Sequence, residues 1–163
     1  MPADYLSRVV EEARYVIEAY LELRKGSLTP IAARGLEESI AVHVRNLARF
    51  FKLVRVRGRR RDELTYLPYL ERGKARPFRE EASRCRGLDN LQELVRWVNK
   101  NLTHLTNAEY LKMPNLDEPI RAICCVLSIF SRYLGKGVDG RVIGELNNVV
   151  EACIGLVNDH LTS

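Results

Sequence analysis

The chain is short of the residues from which most catalytic and metal centres are assembled. Its three histidines, at 43, 104 and 160, stand too far apart to form a local ligand box, and its four cysteines, at 85, 124, 125 and 153, show no C-x-x-C spacing. No metal and no cofactor are expected. Glycine-rich phosphate loops and nucleophile elbows are missing too; Gly135-Lys136-Gly137 is too short for a P-loop and reads as a helix stop followed by a turn. A small-molecule enzyme is accordingly the poorest functional class. No apolar run reaches the roughly 18 residues of a membrane span. Met1-Pro-Ala-Asp4 lacks a basic and apolar leader, so neither a transmembrane helix nor a signal peptide is expected, and the location expected is cytoplasmic.

What remains is the composition of an ordinary folded chain: 163 residues, 46% apolar and 29% charged, too apolar for disorder and too poor in cysteine for a disulfide scaffold. At this length folding buries roughly 68–70% of the unfolded chain's surface, enough for one domain with its own core. Cys124 and Cys125 are neighbours in an apolar run, where successive helical side chains diverge by about 100°. The expectation for all four cysteines is buried, reduced and inert thiols.

Apolar spacing predicts five helices and no strand. The first follows Asp4, an N-cap, and runs through Leu6, Val9, Val10, Ala13, Val16, Ile17, Tyr20 and Leu21 to a stop at Gly26. Pro30 opens the second, with Leu36, Ile40, Val44, Leu47, Phe51 and Val54 on one stripe, fading near Gly58. A capping box of Asp89 and Gln92 opens the third, which carries Leu91 to Leu105 and ends near Asn107. Pro119 starts a fourth that closes at Gly135, and Asp139 a fifth that continues to Leu161. The fold expected is an all-α bundle of four to five helices in a single domain spanning 1–163.

Charge is unevenly placed. Residues 52–86 hold 12 Lys and Arg against five acids, a net of +7, so with +5 overall the rest of the chain sums to −2. Arg55, Arg57, Arg59, Arg60, Arg61, Lys74 and Arg76 in this connection are candidate phosphate contacts, and Tyr66, Tyr69 and Phe78 candidate stacking rings. The opposing reading is a solvated loop whose rings pack onto the bundle.

Two polar clusters interrupt the stripes. In the first, His43 falls inside the apolar stripe, to be satisfied by Ser39 or by a group from another helix, while Arg45 points the opposite way and Asn46 follows. In the second, Lys100 and His104 stand at i and i+4 on the face turned away from the stripe, beside Trp97, Asn99 and Asn101. That face suits either proton transfer by His104 or the docking of another helix or subunit.

The run Glu38-Ser39, His43-x-Arg45-Asn46-Leu47 and Phe50-Phe51, with Asn99-Lys100 and His104-Leu105-Thr106 further on, resembles a family of bacterial proteins whose helices look HEPN-like. HEPN domains are helical bundles that often dimerise, and many are metal-independent ribonucleases in toxin, phage-defence and CRISPR-associated systems. The resemblance covers about residues 30–110. It implies an RNA-associated homodimer in which His104 acts as base toward a ribose 2′-hydroxyl while Lys100 or Arg45 steadies the phosphate charge. The usual signature places four to six residues between an Arg and the His; here Arg96 and His104 enclose seven, and Arg45 follows His43. The alternative is a non-catalytic dimeric helical protein whose Trp97, Lys100 and His104 face is a subunit or partner contact.

Overall fold

The computed structural model describes residues 3–54, 65–101 and 112–160. Among these residues the chain is all-α: α1 (Ala3–Arg24), α2 (Pro30–Phe50), α3 (Ala75–Ala82), α4 (Leu88–Asn101), α5 (Asp117–Arg132) and α6 (Gly140–His160), with a 3-10 turn at Leu67–Tyr69. Helices α1 and α2 form a hairpin, α6 lies against α1, α4 against α2, and α5 is covered by α2, α3, α4 and α6.

The starts follow local chemistry. Thr29 caps α2 by accepting the Ala32 amide on its hydroxyl at 3.3 Å, and Pro30 fills the first turn, where a missing N–H costs nothing. The end of α2 is a correction to the sequence reading, which carried the helix on toward Gly58. It stops at Phe50 because Lys52 turns left-handed (φ 55°), with Lys52 N–H on the Arg49 carbonyl and Leu53 N–H on that of Ala48, a Schellman closure built without glycine. Phe51 and Val54, which continue the stripe in sequence, reach the core from irregular backbone instead. The expected extension of α4 to Asn107 falls outside the described residues.

Helix α3 was not expected. Charged residues and Pro77 crowd it, and only Phe78 and Ala82, at i and i+4, anchor it inward. Around it the connection after residue 65 is tied down at several points. Glu71 N–H donates to the Tyr133 carbonyl and Gly135 N–H to that of Tyr69, both at 2.9 Å. Tyr66 (1% exposed), Tyr69 (5%) and Phe78 (0%) enter an aromatic cluster with Phe51 and Phe130, ring centroids 4.7 Å apart for Tyr66–Phe78 and 5.1 Å for Phe51–Phe130. Gly87 then brings the chain against α5: it has φ +89°, and a Cβ there would stand 2.2 Å from the Glu118 carbonyl oxygen, so no other residue fits.

The four cysteines are paired, which corrects the expectation of reduced thiols. Cys85, just after α3, joins Cys125 of α5 with Cα atoms 5.9 Å apart, and Cys124 of α5 joins Cys153 of α6 at 5.3 Å. Adjacency is what makes this arrangement work: the two side chains leave α5 about 100° apart and so meet different neighbours. Sequence spacing could not reveal it, since the partners lie 40 and 29 residues away. No helix among the described residues is long and apolar enough to cross a membrane.

Loops of these lengths make each bridge worth roughly 3–4 kcal/mol in the chain-entropy account. Reduction with a phosphine is therefore expected to lower the melting temperature by roughly 10–25 °C, read by calorimetry. The unreduced, denatured chain should show no reactive thiol; four titrating thiols would restore the reduced reading. Burial also raises the Tyr66 and Tyr69 phenols above their ordinary range, and burial together with a hydrogen bond to Asp117 raises that of Tyr20. Because the folded values exceed the unfolded one, the stabilisation is complete below pH ~10 and is lost as pH climbs beyond it. Absorbance at 295 nm should show these tyrosines ionising only with alkaline unfolding; a single reversible wave near pH ~10 would contradict their burial.

Candidate nucleic-acid interface and polar clusters

The basic connection sorts its side chains by type. Its described aromatics are in the core, so Tyr66, Tyr69 and Phe78 offer no face for a base to stack on. Its described cations are outside: Arg72, Arg76, Arg79, Arg84 and Arg86 are exposed and Lys74 is half-buried. On α3, Arg76 lies on the side away from the Phe78 and Ala82 anchors, and Arg79 on their flank, its Nε donating to the Ala75 carbonyl at 3.3 Å. Arg76 pairs with Glu80 at 2.7 Å and Arg86 with Glu118 at 3.2 Å, whereas Arg72, Lys74 and Arg84 have no carboxylate within ion-pairing distance among the described residues. Arg55, Arg57, Arg59, Arg60 and Arg61 lie outside the described residues.

The underside of this ridge is fixed to α5 by Glu81, which accepts from the Tyr133 hydroxyl and from Arg132 at 2.7 Å. The Tyr133 hydrogen bond, then Arg132, holds the Glu81 carboxyl below the usual range, and the same bond raises the Tyr133 phenol. Glu81 is thus tied to α5 by Arg132 and Tyr133, while Arg84 of the ridge also acts on its charge.

The His43 cluster is a seam between α1 and α2. His43 Nδ1 lies 2.9 Å from Glu12 Oε1, and Asn46 Nδ2 donates to the same oxygen at 2.7 Å. The Tyr15 ring sits 4.6 Å from the imidazole, and its hydroxyl shares a 2.7 Å hydrogen bond with Ser39. Of the two partners expected for His43, the group from another helix is the one found, and Ser39 serves Tyr15. The imidazole is not a sealed core group either, since 36% of its side chain is exposed. The spacing carried this signal: Ser39, His43 and Asn46 stand at i, i+4 and i+7, one ridge along the margin of the α2 stripe. Glu12 and Tyr15, at i and i+3 on α1, were not singled out, because a lone acid and a lone tyrosine at a stripe's edge look like ordinary surface.

Chemically, a carboxylate on Nδ1 orients the ring and leaves Nε2 as the open nitrogen, half of a hydrolytic triad. No nucleophile completes it among the described residues. Ser39, a turn before His43, is engaged with Tyr15.

The second cluster comes apart. Trp97 is a core residue, 5% exposed, so it does not contribute to an outward docking face. Asn101 turns its amide back onto the Trp97 carbonyl at 2.9 Å, and Asn99 is half-buried. Lys100 is exposed in the last turn of α4 and makes no ion pair with any described residue. Arg45 is half-buried on α2, its Nε shielded from solvent. His104 lies outside the described residues. The triple of Arg45, Lys100 and His104 therefore has two described members, and these two carry donors alone, so neither can hold the other.

The Glu12 carboxylate is the shared acceptor of the seam. Glu12→Ala is expected to cost roughly 1–2 kcal/mol, because two partners lose one oxygen. A double-mutant cycle with His43→Ala should leave a coupling of about 0.5–1 kcal/mol for so exposed a pair. Zero coupling in denaturant melts would show that the contact contributes nothing. Comparison with models of known protein families, with curated proteins and with solved structures finds no match for this chain.

Proposed function

We propose that the protein holds single-stranded RNA by its phosphate backbone, through the cations of the basic connection. The observation that carries this reading is the division within residues 65–86: every ring packs inward while the arginines stay outside on a segment anchored by hydrogen bonds and a disulfide. Cations held on a fixed scaffold lose less conformational freedom on binding than cations on a loose loop. With Tyr66, Tyr69 and Phe78 all packed inward, contact through the described part of this connection is electrostatic and indifferent to base sequence. RNA is chosen among polyanions on the HEPN-like resemblance, which also implies a homodimer. A two-fold pair would present the ridge twice.

The function proposed is association, with any cutting by His104 a separate step. Affinity for a single-stranded RNA, measured by filter binding across salt concentrations, is expected to fall linearly on a log–log plot. Replacing Arg72, Lys74 and Arg76 by alanine should flatten that slope by about 2, at roughly 0.7 for each phosphate no longer neutralised. Salt-independent binding, or a slope unchanged in the triple variant, would remove the basic connection as the interface.

A further inference from the structure

A cleft of about 570 Å³ opens between the end of α1, the first turns of α2 and residues 112–117 at the entry to α5. None of its lining residues belongs to the basic connection or to the His43 seam. Its floor is fixed: Tyr20, 1% exposed, donates its hydroxyl to Asp117, and Asn115 Oδ1 accepts the Asp117 amide at 2.6 Å. Such a floor needs no rearrangement to receive a ligand.

The walls are chemically divided. Leu23, Met113 and Pro114 supply apolar surface, and Arg24, Arg34 and Lys112 supply positive charge. Arg34 is engaged by Glu38 at 2.8 Å. Arg24 and Lys112 are exposed and have no carboxylate within ion-pairing distance among the described residues, and Arg24 stands near enough to Tyr20 for its charge to act on the phenol. Glu37 is the one lining carboxylate besides Asp117, and no cation pairs with it among the described residues. Two cations and one carboxylate that make no ion pair with described residues, beside an apolar wall, suit a ligand that carries an anion, hydroxyl donors and a flat apolar body together.

We propose that this cleft binds a nucleoside monophosphate, its phosphate between Arg24 and Lys112, its ribose hydroxyls on Glu37 and its base against Met113 and Pro114. Guanidinium and ammonium groups hold phosphate oxygens by charge-assisted hydrogen bonds. A carboxylate accepting from ribose hydroxyls is a recurrent way of recognising the sugar. Methionine adapts its shape to an aromatic face. The volume falls within the roughly 300–1,000 Å³ of small-molecule sites, well above what a bare phosphate occupies.

The test is titration calorimetry of the full chain with AMP, GMP, UMP and CMP, set against adenosine and inorganic phosphate. At least one monophosphate is expected to bind at micromolar to submillimolar concentration and to raise the melting temperature, with the nucleoside and the free phosphate each at least tenfold weaker. Arg24→Glu and Lys112→Glu, both at exposed positions, should weaken that monophosphate at least tenfold while the ligand-free melt stays where it was. Glu37→Ala should abolish the preference for the ribonucleotide over its 2′,3′-dideoxy analogue. The proposal fails if no monophosphate binds at a few millimolar, if the charge-reversed variants bind as well as the parent, or if inorganic phosphate binds as tightly. The triple variant at Arg72, Lys74 and Arg76 should keep the monophosphate affinity, which separates this site from the RNA ridge.

Discussion

Burial of α5 is the constraint on which the rest of the molecule depends. Nine of its residues, from Pro119 to Phe130, are buried, so the helix is apolar around most of its circumference and needs cover on nearly every side. Helices α4 and α6 flank it, α2 and α3 close over it, and the two disulfides leave it from adjacent positions toward the α3–α4 turn and toward α6. The N-terminal end carries Asp117, which takes the Tyr20 hydroxyl, and Glu118, which pairs with Arg86. The C-terminal end carries Arg132 and Tyr133, which hold Glu81. Both the cleft and the basic ridge are thus positioned by the two ends of one helix.

That arrangement explains how residues 65–86, with six cations against three acids, become structure. Like charges placed close together repel, and a connection of this length without apolar anchors would stay solvated. Here the rings contribute the apolar area. Tyr66 and Phe78 join Phe51 and Phe130 in one cluster, which Tyr69 enters through Phe50, and pairs of this kind add about 0.5–1.5 kcal/mol each beyond area burial. The same rings were the candidates for base stacking. Their burial anchors residues 65–86 to the bundle and leaves none of the three rings exposed for stacking.

The legible part of the sequence was the part governed by period and punctuation. Helices α1, α4, α5 and α6 lie where apolar spacing put them, because each buries a stripe, but their expected starts hold only for α6: Asp4 and Asp89, read as caps, lie inside α1 and α4, and α5 begins at Asp117, two residues before Pro119. Two errors have separate causes. The stripe of α2 continues in sequence through Phe51 and Val54, yet a left-handed Lys52 ends the helix, and a lysine gives no warning of a turn that glycine normally marks. Helix α3 has only two inward residues among many charges, too little periodicity to detect. Of the candidate site, the cations of residues 72–86 were legible by charge alone. The pairing of the cysteines, the depth of Trp97 and the Glu12 partner of His43 were not, since each depends on which other helix lies opposite.

The polar contacts between helices divide along the same lines as the core. Between α1 and α2 the seam of Glu12, His43 and Asn46 is half-open to water, where each bond adds about 1 kcal/mol and chiefly fixes how the two helices align. Between α1 and α5 Tyr20 packs into the core while its hydroxyl, at the floor of the cleft, is part-buried and donates to Asp117, so the bond satisfies a polar group largely withdrawn from solvent. Alignment of the hairpin by the first contact brings the end of α1 to the height at which the second can form. The cleft above Tyr20 therefore follows from two contacts: a solvent-tolerant seam sets the register of α1 on α2, the Tyr20–Asp117 hydrogen bond ties α1 to α5, and Arg24 and Lys112 at the rim are left beyond ion-pairing distance of Glu37 and every other described carboxylate.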